Sequence, residues 1–146
     1  MVAGFHWLKN LFEGQVPTYR RVKVGLNQTI TAGDVLAVSG GYAVVAAAGA
    51  AAGTILGVAE EAVTSTTAGV KDVRVNVSPY GVFEVNYTGA VKTSLADTDL
   101  YDTAFDLNAT ADGINLDDTL GGFCRAVGYD NTKKTAHVII GNRLFA

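Results

Sequence analysis

Cys124 and His137 are, besides His6, the Cys–His pairing that this 146-residue sequence offers for nucleophilic chemistry. A thiol nucleophile needs a base within hydrogen-bond reach. The two residues fall on neighbouring expected strands, over 124–129 and 135–140. His137, however, alternates with Ala136, Val138 and Ile140, which puts it on the opposite face from that apolar row. Cys124 lies in the apolar run Gly122-Phe123-Cys124 and reads as a small buried hydrophobe. Being the sole cysteine, it excludes an intrachain disulfide. Zinc needs three or four Cys, His or carboxylate ligands, and one Cys with the distant His6 and His137 does not supply them. Asp97, Asp99 and Asp102, or Asp112, Asn115, Asp117 and Asp118, offer oxygens of the kind calcium takes. Neither group follows the twelve-residue loop with a central glycine and a terminal glutamate, so they read as solvated loop carboxylates. Glu60 and Glu61 are adjacent, and on a strand they point to opposite faces, so they cannot flank one glycosidic bond. No phosphate-binding glycine loop is present, and the glycines over 49–57 have no lysine beside them. The expectation is a chain that is not an enzyme and holds neither metal nor cofactor.

The elements that carry these residues read as strands. Seventeen glycines against two prolines imply many tight turns between short strands. The clearest alternation runs over 71–77, where Val73, Val75 and Val77 interleave with Asp72, Arg74 and Asn76. A second follows over 82–87, beyond the turn Ser78-Pro79-Tyr80-Gly81, and the pair is expected to form a hairpin. Further strands are expected over 20–24, 34–38, 42–46, 55–60 and 100–105. The fold class is therefore mainly all-β, a small barrel-like domain of short antiparallel strands. A faint internal repeat matches 34–36 with 99–101, 56–61 with 125–130, and 73–77 with 136–140. The span 35–59 carries no charge and is long enough to cross a bilayer. Its glycines and small residues favour strands and tight connections instead, so no membrane span is expected.

Residues 1–19 differ and are expected to form an N-terminal arm, extended or briefly helical, ahead of a β-rich domain over 20–146. Phe5, Leu8 and Phe12 recur at helical spacing, with Trp7 and Leu11 one turn apart. Pro17 then stops any helix. Lys9, Asn10 and Glu13 interrupt any secretory apolar core, so synthesis in the cytoplasm is expected. Charged residues make up only 17% of the chain and mean hydropathy is +0.24, which implies apolar surface hidden by partner chains. A net charge of −3 argues against nucleic acid as a direct partner. The charge is unevenly distributed: Lys9, Arg20, Arg21 and Lys23 lie near the start, whereas 93–130 carry eight aspartates against Arg125 alone. Complementary surfaces meeting in an assembly would use that asymmetry.

The phrases Thr31-Ala32-Gly33-Asp34-Val35-Leu36, Gly57-Val58-Ala59 and Gly81-Val82-Phe83-Glu84-Val85 resemble the head decoration, or cement, proteins of tailed bacteriophages, which have β-clip or β-tulip folds. Asp99-Leu100-Tyr101 and Val127-Gly128-Tyr129 continue the likeness. The resemblance implies a homotrimer on the outer surface of a virion capsid, bound to the major capsid protein and bridging capsomers. It also implies an arm reaching a neighbour. Phe5, Trp7, Leu8, Leu11 and Phe12 would make capsid or intersubunit contacts, steered by Arg20, Arg21 and Lys23. A rival expectation is a ligand- or glycan-binding β module of a phage or bacterial surface structure, using Tyr80, Tyr87 and Tyr101.

Overall fold

The computed structural model describes residues 3–11, 16–51, 53–141 and 143–144. Its thirteen strands are β1 (His6–Asn10), β2 (Tyr19–Lys23), β3 (Gln28–Ile30), β4 (Val35–Ser39), β5 (Tyr42–Val45), β6 (Ile55–Ala59), β7 (Val63–Ser65), β8 (Asp72–Asn76), β9 (Gly81–Thr88), β10 (Ala104–Leu107), β11 (Ile114–Asn115), β12 (Cys124–Asp130) and β13 (Thr135–Ile140). One 3-10 turn spans Asp97–Asp99, and the described residues contain no α-helix. The all-β expectation is correct. Among the described residues no helix is long and apolar enough to cross a membrane, and the charge-free span becomes β4, β5 and β6.

Two five-stranded rings follow one plan. In the C-terminal barrel the order β9-β11-β10-β12-β13 closes through pairing of β13 with β9. In the N-terminal barrel the order β2-β8-β6-β4-β5 is drawn together by a single parallel bridge, Val24 to Ala43. Strand by strand, β2, β4, β5, β6 and β8 correspond to β9, β10, β11, β12 and β13. Every corresponding ladder has the same sense, including the parallel closure of Tyr87 on Ile114. Single hydrogen bonds repeat too: Val24 N–H donates to Lys71 O, as Tyr87 N–H does to Lys134 O. The last block of the sequence repeat, 73–77 with 136–140, coincides with this correspondence. The first two are out of step, because β4 matches β10, beginning at Ala104, and not 99–101.

The expected hairpin does not form. β8 pairs with β2 and β6, while β9 pairs with β1, β11 and β13, so Ser78-Pro79-Tyr80-Gly81 is the crossover between barrels. Alternation fixes which face of each strand is apolar but not which strand lies beside it. The strand expected over 100–105 starts later, at Ala104.

The inner face of the N-terminal barrel is filled by Val24, Leu36, Ala43, Leu56, Ala59, Val73 and Val75. The outer face of its β4, β5 and β6 carries Val35, Ala37, Val44, Ile55 and Val58, which pack into the same cluster as Phe83, Val85, Phe105, Leu107 and Val138 of the C-terminal barrel. Strand β6 therefore lies between two cores, and all five of its residues are buried. That is why 35–59 reads as uncharged. Gly57 makes the double burial possible. Ladder register shifts beside it, between Leu36 and Ala37, so that Ile55 and Val58 face one core while Leu56 and Ala59 face the other. Its φ of 154° and its contact with the Asn76 carbonyl leave no room for a Cβ.

Candidate interaction surface

The N-terminal segment is a strand, not a helix. Residues His6–Asn10 add to the edge of β9, with His6 opposite Glu84 and Asn10 opposite Gly81. A bulge between Trp7 and Lys9 turns Leu8 outward. Phe5 is buried in the shared cluster, and Trp7 meets Phe83 edge-on with ring centroids 5.7 Å apart. Gly81 admits that indole because a Cβ there would collide with it. Of the expected contact residues, Phe5 and Trp7 thus pack on their own chain, whereas Leu8 and Leu11 are exposed. Phe12 lies outside the described residues.

Leu11 and Thr18 both bond to the inter-barrel crossover. Leu11 N–H donates to Tyr80 O, Asn10 Nδ2 to Val16 O, and Thr18 N–H to Ser78 Oγ at 2.8 Å. These bonds bring the backbone of Leu11, Val16 and Thr18 close to the crossover, where Leu8, Leu11, Val16, Tyr19 and Tyr80 are all exposed. Val16 is 79% and Tyr80 55% exposed. An exposed apolar group of this kind, edged by polar side chains, is the usual mark of a protein contact.

Of the basic residues beside it, Arg21 is held by Glu61 and Asp72, each at 3.1 Å. Arg74, directly across from Arg21, lays its guanidinium 4.0 Å above the Tyr19 ring. Lys23 lies opposite Asp72 and is exposed, and Arg20 faces Val75 across the ladder. The two arginines and Lys23 do share one strand, but Arg21 is engaged in its own fold rather than aimed outward.

The chemistry-bearing residues lie apart. Cys124 is opposite Ile140, fully buried, and burial pushes its thiol far up, helped by the nearby Asp106 charge. His137 sits opposite Gly128 on the outer face, its Nε2 3.3 Å from Glu84 Oε2. Ladder register and opposed facing keep the thiol and the imidazole from meeting. Tyr87 points into the core, and its hydroxyl donates to Asn131 Oδ1 at 2.7 Å, so it does not join Tyr80 and Tyr101 at the surface.

The aspartates serve the backbone. Asp117 accepts from the N–H groups of Lys92, Val91 and Ala90, which hold its carboxyl below the usual range. Asp112 is lowered by Thr110 and Asn108. Asp99 is also lowered: the Ala96 N–H and Lys92 outweigh a desolvation that acts the other way. Asp34 and Asp106 are raised, because burial exceeds the help of their backbone donors. Among the described residues no three His, Cys, Asp or Glu side chains are arranged to hold a metal ion. The described residues line several hollows. One of about 280 Å³, between Phe5, Trp7, Gly33 and Glu60, marks the junction of the barrels. The chain matches no protein-family model, and no curated protein matches it in sequence.

Proposed function

We propose that this chain is a structural virion protein that binds the outer surface of a phage capsid as a homotrimer and stabilises it by bridging capsomers. The observation that carries the proposal is the exposure of Leu8, Leu11, Val16, Tyr19 and Tyr80 beside the inter-barrel crossover of a chain of low charge. The sequence resemblance to phage decoration proteins supplies the class of partner. Such a protein acts through binding free energy: whatever holds only the assembled shell stabilises it by mass action. Repetition over a lattice then converts modest contacts into strong avidity. Because Phe5 and Trp7 belong to the core, the contact falls to Leu8, Leu11 and their neighbours, with Lys23 contributing charge.

The test is co-sedimentation with capsids of the cognate major capsid protein. A Leu8→Asp, Leu11→Asp variant alters two exposed side chains, so its melting temperature is expected to stay near that of the parent. Attachment is expected to weaken by about tenfold or more, the effect of losing apolar anchors at an interface centre. Undiminished attachment of the folded variant refutes this contact.

A further inference from the structure

The correspondence between the barrels leaves one strand edge filled in the second copy and open in the first. Strand β9 pairs with β13 on one side. On its other side it pairs with β11 at Tyr87 and Thr88, and with β1 over 81–84. Strand β2, the counterpart of β9, pairs with β8 on one side. Its other side is engaged only at its end, where Val24 bridges to Ala43 and Gly25 N–H donates to Ala43 O at 2.9 Å. Setting Val24 on Tyr87 places Tyr19 on Val82 and Arg21 on Glu84, the residues opposite Lys9 and His6 of β1. Among the described residues no strand takes the place of β1 there, and β2 ends the strand order of its sheet.

The bonding pattern fixes which backbone groups are left over. Thr18 O accepts from Val77 N–H, and Val24 N–H donates to Lys71 O. Alternation along an antiparallel ladder then turns the backbone groups of Arg20 and Val22 toward β8 as well. Those of Tyr19 and Arg21 point the opposite way, out of the sheet edge. Such a row of backbone donors and acceptors is a template for a further strand. The fold already uses the equivalent template once, since β9 is completed by β1.

We propose that this edge of β2 receives an extended strand of the capsid protein, antiparallel to β2 as β1 is to β9. The inference rests on the proposed function and supplies the mode of its contact. Tyr19 belongs both to this edge and to the exposed residues beside the crossover, so an added strand continues that surface. The strands of a second copy fit worse. Its β1 would bring Trp7 against Thr18, the counterpart of Gly81, where a Cβ collides with the indole. Its β2 has three basic residues in five, and like charges set across a ladder repel.

Amide exchange tests the edge, read residue by residue in the free chain and in chain bound to capsids of the cognate major capsid protein. The bound chain is exchanged on the shell, then quenched and released for reading. In the free chain the Tyr19 and Arg21 amides are expected to exchange about tenfold or more faster than those of Arg20 and Val22, which β8 holds. On the shell they are expected to slow by about tenfold or more. Arg21→Pro removes one outward N–H, at an edge position where proline is tolerated. Its attachment is expected to weaken by about tenfold, whereas Arg21→Ala, which keeps the N–H, attaches like the parent. Tyr19 and Arg21 amides already slow in the free chain overturn the inference, and protection that fades on dilution identifies a second copy as the cover. Bound chain in which both amides stay fast overturns it too, as does a folded Arg21→Pro variant that attaches like Arg21→Ala. Either of these results leaves the capsid reading standing, since that is judged separately on Leu8 and Leu11. A parent chain that attaches to no capsid removes both.

Discussion

The N-terminal and C-terminal barrels share a strand order and differ in how they meet the same needs. Where a turn must adopt positive φ, one has Gly33 and the other Tyr101. Where an approaching strand must be paired, one forms the β3–β7 ribbon, Ile30 opposite Val63. The other uses a side chain: Asn131 accepts from Leu95 N–H and donates to Leu95 O, holding a similarly buried leucine without a ladder. The N-terminal barrel is also apolar on both faces of β4–β6, whereas β12 keeps Arg125 in solvent. One plan has thus been specialised, with the first copy clasped between two cores and the second free to expose loops.

The sharpest test of this asymmetry compares Gly57 with Cys124. Gly57 faces Leu36 across its ladder as Cys124 faces Phe105 across the other. Gly57→Ala drives a Cβ into the Asn76 carbonyl, in a strand with cores on both sides and at a φ that alanine resists. Strain and overpacking together predict a loss on the order of 5 kcal/mol. Cys124→Ala only trims one buried sulfur, at about 1 kcal/mol. Denaturant midpoints measure both. Similar losses at the two positions would break the claim that only the first barrel needs a glycine there.

These differences also decide how much could be read from the sequence. The strands with strict alternation, β8 and β9, and the compact apolar runs of β4, β6 and β13 were visible, because each buries a face of its own. β1 was not: Phe5 and Trp7 do share a face at strand spacing, but the bulge at Leu8 breaks the alternation and leaves Phe5, Leu8 and Phe12 at a helical interval. β3, β7 and β11 span two or three residues and draw their stability from partners, so they have no period of their own. The false hairpin arose because pattern does not specify neighbours. Of the expected contact residues, Leu8 and Leu11 are exposed, while Phe5 is buried in the shared core and Trp7 packs on Phe83. Val16, Tyr19 and the crossover Tyr80 were missed as one group, since only the fold brings 16–19 beside 77–80. The positive φ of Tyr101 has no sequence signal except through comparison with Gly33, and that comparison needs the ladders.

The side-chain replacement of a ribbon is the next point of difference. Asn131→Ala removes three hydrogen bonds at once, those to Leu95 N, Leu95 O and the Tyr87 hydroxyl, and leaves the latter part-buried. A loss of about 2 kcal/mol is expected. In the N-terminal barrel Thr29→Ala and Thr64→Ala, on exposed positions of the backbone-paired ribbon, should change stability by less than about 0.5 kcal/mol. Equal effects would mean that Asn131 is not a substitute for the missing strands.

The smallest expected effect separates the barrels by pH. Asp117, Asp112 and Asp99, all in the C-terminal half, have carboxyls held below the ordinary carboxylate value of 3.8. A depressed folded value contributes stability that is present above the unfolded value and is lost as pH falls through the folded one. Asp34, in the N-terminal barrel, is raised, so its contribution runs the other way: it is present below 3.8 and is lost as pH rises through the folded value. Asp106 belongs to the C-terminal barrel but is raised like Asp34; its Oδ2 accepts the Gly49 N–H at 2.6 Å across the junction, so the inter-barrel contact is not what acid releases first. Acidification below about pH 4 should therefore loosen the 90–92 loop while the junction stays closed. Amide exchange reads this directly: Ala90, Val91 and Lys92 should lose protection in acid before Gly49 does. Asp117→Ala should reproduce that loss at neutral pH with little change in melting temperature, because the loop is exposed and only its anchor is gone. If Gly49 opens first, the carboxylate contacts of the two halves are ordered in the reverse sense, and the loop of the second barrel is held by something other than Asp117.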